Sequence, residues 1–189
     1  MKRVHTFKKN WLLSLLFLLL LSASADADQN DVRLGELFRS LKSTESLSRA
    51  SVFESKIWHI WMEHYDPEVE SAMFQGVEAM KLQQFEQAFG QFSLLIKLAP
   101  DYAEGWNKRA TVLYLMGKYE LSQADIDKVL MIEKRHFGAL SGQGLVQTEL
   151  KNYEKAINSY KEVQKIYPSM QAAKIMIPRL KKLIKEQSI

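Results

Sequence analysis

The feature that most constrains this chain is a period. Shifted by 34 residues against itself, the sequence brings Phe85, Tyr119 and Tyr153 into register, and with them Ala88, Ser122 and Ala156. Phe92, Ile126 and Tyr160 align in the same shift, as do Leu95, Val129 and Val163. Gly76, Ala110 and Gly144 align near the start of each unit, and Pro100 and Pro168 align around Lys134. A repeat of this length is one supersecondary unit that cannot bury its own apolar face. It must therefore stack on its neighbours. The units run over 69–102, 103–136 and 137–170.

Within a unit the apolar spacing is that of two helices. In the middle unit the first runs from about Glu104 to Met116 and ends near Gly117, and the second runs from about Leu121 to Glu133. The small pairs Gly76 with Ala88, Ala110 with Ser122, and Gly144 with Ala156 mark where the paired helices approach most closely. Trp106, Leu113, Tyr119 and Ile126 fill the space around that contact. With only 8 Gly and 4 Pro and little β-branched alternation, the chain reads as all-α.

These residues resemble the tetratricopeptide repeat family, whose consensus places a large residue, Leu, Gly, Tyr, Gly, Tyr, Ala, Phe, Ala and Pro at fixed places over 34 residues. The third unit supplies Gly144, Tyr153, Ala156, Tyr160 and Pro168. The middle unit supplies Trp106, Ala110, Gly117, Tyr119 and Ile126, with Lys134 where Pro is usual, and the first supplies Gly76, Phe85, Ala88, Phe92, Leu95 and Pro100. The resemblance implies a right-handed α-solenoid of tetratricopeptide helix pairs with a C-terminal capping helix. It also implies a concave groove, lined by the first helices, that binds a peptide or partner protein. By family position the groove residues are Met73, Val77 and Met80 on the first unit, Asn107, Lys108, Thr111 and Tyr114 on the second, and Ser141 and Leu145 on the third. A plainer use of Met73 and Phe74 is packing on the segment upstream. The carboxylate clamp of some family members needs Lys, Asn and Arg where this chain has Met73, Val77, Lys108, Gly138 and Gly142, so the resemblance implies no such clamp.

The flanks have their own patterns. Residues 1–25 have a basic start, an apolar run from Trp11 to Leu21 and small residues after it, the layout of a secretory signal peptide. The run is about half the length needed to span a bilayer as a helix. Cleavage fits after Ala25 or after Ala27, and an uncleaved anchor is the rival reading. The expectation is an exported protein, periplasmic in a Gram-negative cell, with no stable membrane insertion once cleaved. Segment 26–68 reads as helical, a possible degenerate repeat with Leu47 and Ala50 in the roles of Tyr119 and Ser122. Segment 171–189 reads as a capping helix, with Ala173, Met176, Ile177, Leu180, Leu183 and Ile184 on one stripe and a kink or restart at Pro178.

Charge and chemistry narrow the function. The net charge of +4 comes from Lys2, Arg3, Lys8 and Lys9, since no acid precedes Asp26 and the remaining 22 basic residues face 22 acids. Nucleic acid is therefore not an expected partner. There is no Cys, hence no disulfide. His59 and His64 stand five apart, about 140° around a helix, so they and Glu63 make a poor metal site. Burial of Trp58 or Trp61 on a neighbouring unit is the simpler use of that stretch. Asp125 and Asp127 read as solvated, while Gly138, Gly142 and Gly144 read as helix-packing positions, with Gly142 clearing room in a helix interior where glycine is costly. No catalytic triad is discernible, and no cofactor or metal is implied. The leading expectation is a non-enzymatic binding module. The alternatives are a metal-dependent hydrolase using His59, Glu63 and His64, and a self-assembling scaffold.

Overall fold

The structure is a computed structural model that describes residues 28–187; the expected signal segment, with its cleavage sites at Ala25 and Ala27, lies outside them. Among the described residues there are nine helices and no strand: α1 Leu34–Ser43, α2 Leu47–Met62, α3 Pro67–Lys81, α4 Phe85–Leu98, α5 Ala103–Leu115, α6 Tyr119–Ile132, α7 Phe137–Glu149, α8 Tyr153–Ile166 and α9 Gln171–Gln187. Helices α3 to α8 form three antiparallel pairs stacked in series, and α9 covers α8. The chain is an all-α solenoid.

Each pair closes at a recurring turn. Gln83, Gly117 and Lys151, spaced 34 apart, all have positive φ, at 57°, 72° and 59°. The amide of the next residue reaches back to the end of the first helix: Gln84 N to Ala79 O, Lys118 N to Leu113 O, and Asn152 N to Gln147 O, each at 2.8 Å. This is the Schellman closure, which satisfies carbonyls that the helix end would otherwise leave unpaired. Only the middle unit uses glycine for it.

Small side chains let the helices of a pair touch. A Cβ built on Gly76 would stand 2.5 Å from the Phe92 ring, and one on Gly144 would stand 2.5 Å from the Tyr160 ring. In the middle unit the partner of Ala110 is the shorter Ile126, and Ser122 Oγ donates to Ala110 O at 2.8 Å. The same close approach joins neighbouring units, since a Cβ on Gly105 would stand 2.2 Å from Leu95 Cδ2. Buried Phe92, Leu95, Val129, Tyr160 and Val163 continue this core along the stack.

The expected degenerate repeat is corrected here. Segment 26–68 does form two helices, but α1 and α2 are not stacked in series ahead of α3, and α2 makes no extended packing with it. The hairpin instead folds back across the stack. Its Leu34, Phe38, Leu41, Ile57, Ile60 and Trp61 form one core with Phe137 at the start of α7 and Tyr167 after α8. Tyr167 Oη donates to Glu54 at 2.9 Å, Tyr102 Oη donates to the Trp61 carbonyl at 2.7 Å, and Gln29 bridges Asp101 O and Ala103 N. Leu47, the supposed counterpart of Tyr119, is 55% exposed. The physical reason is where the apolar face of α2 finds its partner: Ile57, Ile60 and Trp61 pack with Phe137 and Tyr167 of the third unit rather than on α3.

At the other end α9 runs through Pro178 without restarting. Pro178 is exposed, so the hydrogen bond it removes is lost on the solvent side. Ala173 and Leu180 are fully buried, with Met176, Ile177, Leu183 and Ile184 packed beside them.

Two measurements test this packing. Gly144→Leu should lower the unfolding free energy by about 1–3 kcal/mol, because the Tyr160 ring has nowhere to retreat. Lys151→Gly should raise it by about 0.5 kcal/mol, by relieving a left-handed residue that has a side chain. Denaturant titration of both variants against the parent reads the two signs.

Candidate partner-binding face

The first helices α3, α5 and α7 carry the residues expected to line a groove, and the structure divides them. On α3, Met73 is only 5% exposed and belongs to the core with Val69, Ala72 and Phe92, while Val77 and Met80 pack against that core. These three do not form a free wall, because the apolar side of α3 is consumed by α4 and by Met62 and Tyr102. Phe74, on the next face of α3, remains 67% exposed.

On α5, Asn107 and Lys108 belong to a buried network centred on Glu104. Asn107 Nδ2 donates to Glu104 Oε2 at 3.0 Å, and His136 Nε2 stands 3.0 Å from the same oxygen. Lys108 Nζ lies 3.0 Å from Oε1 without hydrogen-bond alignment, so its attraction there is one of charge. His136 Nδ1 accepts the Ala139 amide at 3.0 Å and so caps α7, which leaves the ring hydrogen on Nε2 for Glu104. Glu104 is wholly buried; burial pushes its carboxyl up, but the charge of Lys108 and the His136 hydrogen bond outweigh this and hold it below the usual carboxylate range.

This network is roofed by α2. The Trp61 ring stacks on His136 at 4.1 Å, and Trp58 meets the same imidazole edge-on at 5.5 Å. A Cβ on Gly138 would stand 2.5 Å from Trp58, and Lys108 Nζ lies 5.7 Å from the centre of the Trp58 ring. Gly138 is therefore a packing glycine, though its neighbour is α2 rather than a paired helix. The N-terminal ends of α5 and α7, where a groove ligand would meet Lys108 and Gly138, are already occupied by the chain itself. Sequence reading placed a Trp of this stretch on a neighbouring unit, but it put Glu104 on the inner face and did not pair it with His136. Their spacing of 32 falls two short of the repeat, so the periodicity does not mark the pair.

What stays open begins beside Gly138, at the edge of the α2 roof, and runs toward the C-terminal ends of α5 and α7. Thr111, Tyr114 and Leu145 surround a pocket of about 70 Å³ whose depth is set by Ala110, Ile126 and Val146. Asn107 borders it, and Leu145 is 39% exposed. Tyr114 is half-buried, its ring 5.6 Å from Tyr119 and its hydroxyl 3.5 Å from Glu149. Ser141 is half-buried on α7 beside this opening without lining it. The structure thus brings together Asn107, Thr111, Tyr114 and Leu145, and assigns Lys108 to the roofed network.

The residues of the alternative hydrolase do not converge. Glu63 is shared by Arg33 at 2.8 Å and His59 at 3.0 Å, whereas His64 stands beyond the end of α2, where its Nδ1 accepts the Asp66 amide and its ring stacks on Tyr65 at 4.8 Å. Among the described residues no group of three or more His, Asp or Glu is arranged to hold a metal ion. Asp125 is not solvated as its pattern suggested. It is buried and receives two hydrogen bonds from Arg109, at 2.7 and 2.8 Å, while Asp127 is exposed. No helix of the described residues is long and apolar enough to cross a membrane.

Comparison with known proteins agrees with the repeat fold. Residues 139–169 match the sequence profile of the tetratricopeptide repeat. A TPR repeat-containing protein of Rhizobium etli is 33% identical over 148 residues, covering 78% of this chain and 72% of that protein. The Arabidopsis OM64 TPR domain superposes with a TM-score of 0.59 at 24% identity, over 60% of this chain and 94% of that one. The first TPR of Spaghetti (RPAP3), bound to the HSP90 peptide SRMEEVD, superposes with a TM-score of 0.61 at 15% identity, over 62% and 94% of the two chains. At these identities the two structures show the fold.

Removing the central carboxylate tests the roofed network. Its pKa is depressed in the folded chain, so its stabilisation is present above the unfolded value of about 4.3 and is lost as pH falls through the folded value. Glu104→Gln should cost about 1–3 kcal/mol at pH 7, with the gap to the parent narrowing below about pH 4. Chemical denaturation across pH 3–7 would show a constant gap if the carboxylate carried no charge in the fold.

Proposed function

Because the chain belongs to the tetratricopeptide-repeat family, we propose that it is a non-enzymatic interaction module holding an extended peptide or partner segment in the open half of its concave face. The observation that carries this reading is the arrangement of Thr111, Tyr114 and Leu145 around a pocket, unroofed, while the same two helices are covered by α2 nearer their N-termini. Side chains from two consecutive units face one opening. An extended segment crossing α5 and α7 would touch them in turn, with Phe74 of α3 farther along.

The same reading makes it an exported scaffold or adaptor, in the periplasm if the cell is Gram-negative, on the strength of the charge and apolar pattern of residues 1–25. Its partner differs in chemistry from the acidic peptide in the RPAP3 complex. The positions where the family places its carboxylate clamp hold Met73, Val77, Lys108, Gly138 and Gly142, of which Met73 is core, Lys108 pairs with Glu104 and Gly138 lies under Trp58. A carboxylate-rich tail would find no free cation there.

Crosslinking in the native compartment, followed by mass spectrometry, tests the proposal. The double variant Tyr114→Ala with Leu145→Ala should lose about tenfold or more in partner recovery at unchanged helical signal, as expected for contacts at the centre of an interface. Parental recovery by a folded double variant would refute groove binding.

A further inference from the structure

The repeat is filled differently in its middle unit. In the first and third units an aromatic ring lies over the small residue of the first helix, Phe92 over Gly76 and Tyr160 over Gly144. Ile126 stands in that place in the middle unit, opposite Ala110. A second departure lies across from it on α7. The positions 34 residues before and after Gly142 hold the long side chains of Lys108 and Met176, whereas Gly142 has none. The two departures meet. They leave the pocket floored by Ala110, Ile126 and Val146 and rimmed by Thr111, Tyr114 and Leu145.

Packing does not require glycine at 142. Cβ atoms at Gly76, Gly138 and Gly144 would collide with rings at 2.5 Å, but one at Gly142 would have Ile126 Cδ1 at 3.7 Å as its nearest neighbour, an ordinary contact. Helix interiors disfavour glycine relative to alanine. The chain therefore carries a destabilising residue whose visible effect is an open pocket, the usual form of a stability cost tied to function. Three donors at hand are already engaged: Ser122 Oγ bonds Ala110 O, Thr111 Oγ1 bonds Asn107 O at 2.9 Å, and Asn107 Nδ2 bonds Glu104 at 3.0 Å. A volume of about 70 Å³ exceeds what one water needs and falls short of the ~150 Å³ that accommodates benzene.

We propose that this pocket is a subsite for one small aliphatic side chain, of alanine to valine size, presented by an extended partner segment lying in the groove. This rests on the groove-binding reading above. The uncharged floor excludes acidic and basic side chains, which would be buried there without a partner. The volume excludes aromatic ones.

The probe is N-acetyl-valine N-methylamide, titrated at millimolar concentration into methyl-labelled full chain, with the glycine and phenylalanine counterparts as controls. The valine amide should shift the Ile126 and Val146 methyl signals saturably, and the two controls should not. Gly142→Leu fills the pocket from within; it should abolish the response and melt no lower than the parent. Should Gly142→Leu fail to fold, Gly142→Ala, which adds a single methyl, should weaken the response several-fold. No saturable shift, an equal shift with the glycine amide, or an undiminished response in the filled variants overturns the subsite. Crosslinking separates this failure from that of the groove. Parental recovery by folded Gly142→Leu sinks the subsite alone, whereas parental recovery by the Tyr114, Leu145 double variant sinks the groove reading itself.

Discussion

The close contact between paired helices, made where one of them has almost no side chain, is what the solenoid is built on. Gly76 against Phe92 and Gly144 against Tyr160 bring the backbone of a first helix down onto an aromatic ring, and Gly105 does the same between units against Leu95. Helix propensity opposes glycine at such places. Burial outweighs it: a ring removed from water contributes on the order of 2–3 kcal/mol by area, and a void beneath it would forfeit much of that. Repeating the contact at a constant interval fixes both the tilt within each pair and the step to the next, so the curvature of the concave face follows from a few small residues.

Why the stack was legible and the hairpin was not follows from how far each contact reaches. Phe92, Ile126 and Tyr160 recur with their small counterparts inside one unit, so a self-comparison of the sequence exposes them. The contacts of α1 and α2 occur once. Glu54 meets Tyr167, and Trp61 meets His136, across separations that no periodicity marks. The shape of α2 was visible in Ile57, Trp58, Ile60 and Trp61, but not which surface would receive it.

The candidate site was legible to the same partial degree. Family position pointed to the first helices and to Thr111, Tyr114 and Leu145 as partner-binding residues, and the structure places these three around one pocket. It misjudged Met73, because a methionine on the inner side of α3 can turn toward the core as readily as toward a guest, and the bulk of Tyr102 and Met62 decides which. It misjudged Lys108 for an electrostatic reason: a carboxylate as deeply buried as Glu104 needs a cation, and Lys108 is one turn away on the same helix. The sequence shows Gly142 to be costly in a helix interior; only the Ile126 methyl at 3.7 Å shows that the room beside it is unused.

The hairpin has a mechanical consequence. An open array of helix pairs behaves like a spring, since each unit touches only the next and bending is spread along its length. Here α2 is fastened to the start of α5 through Tyr102 and to the start of α7 through Phe137, and Glu54 ties it to the residue following α8. A strut of this kind turns the spring into a braced arch. Strain at one end is then shared by the other, and the spacing of the helices between them is held from both sides.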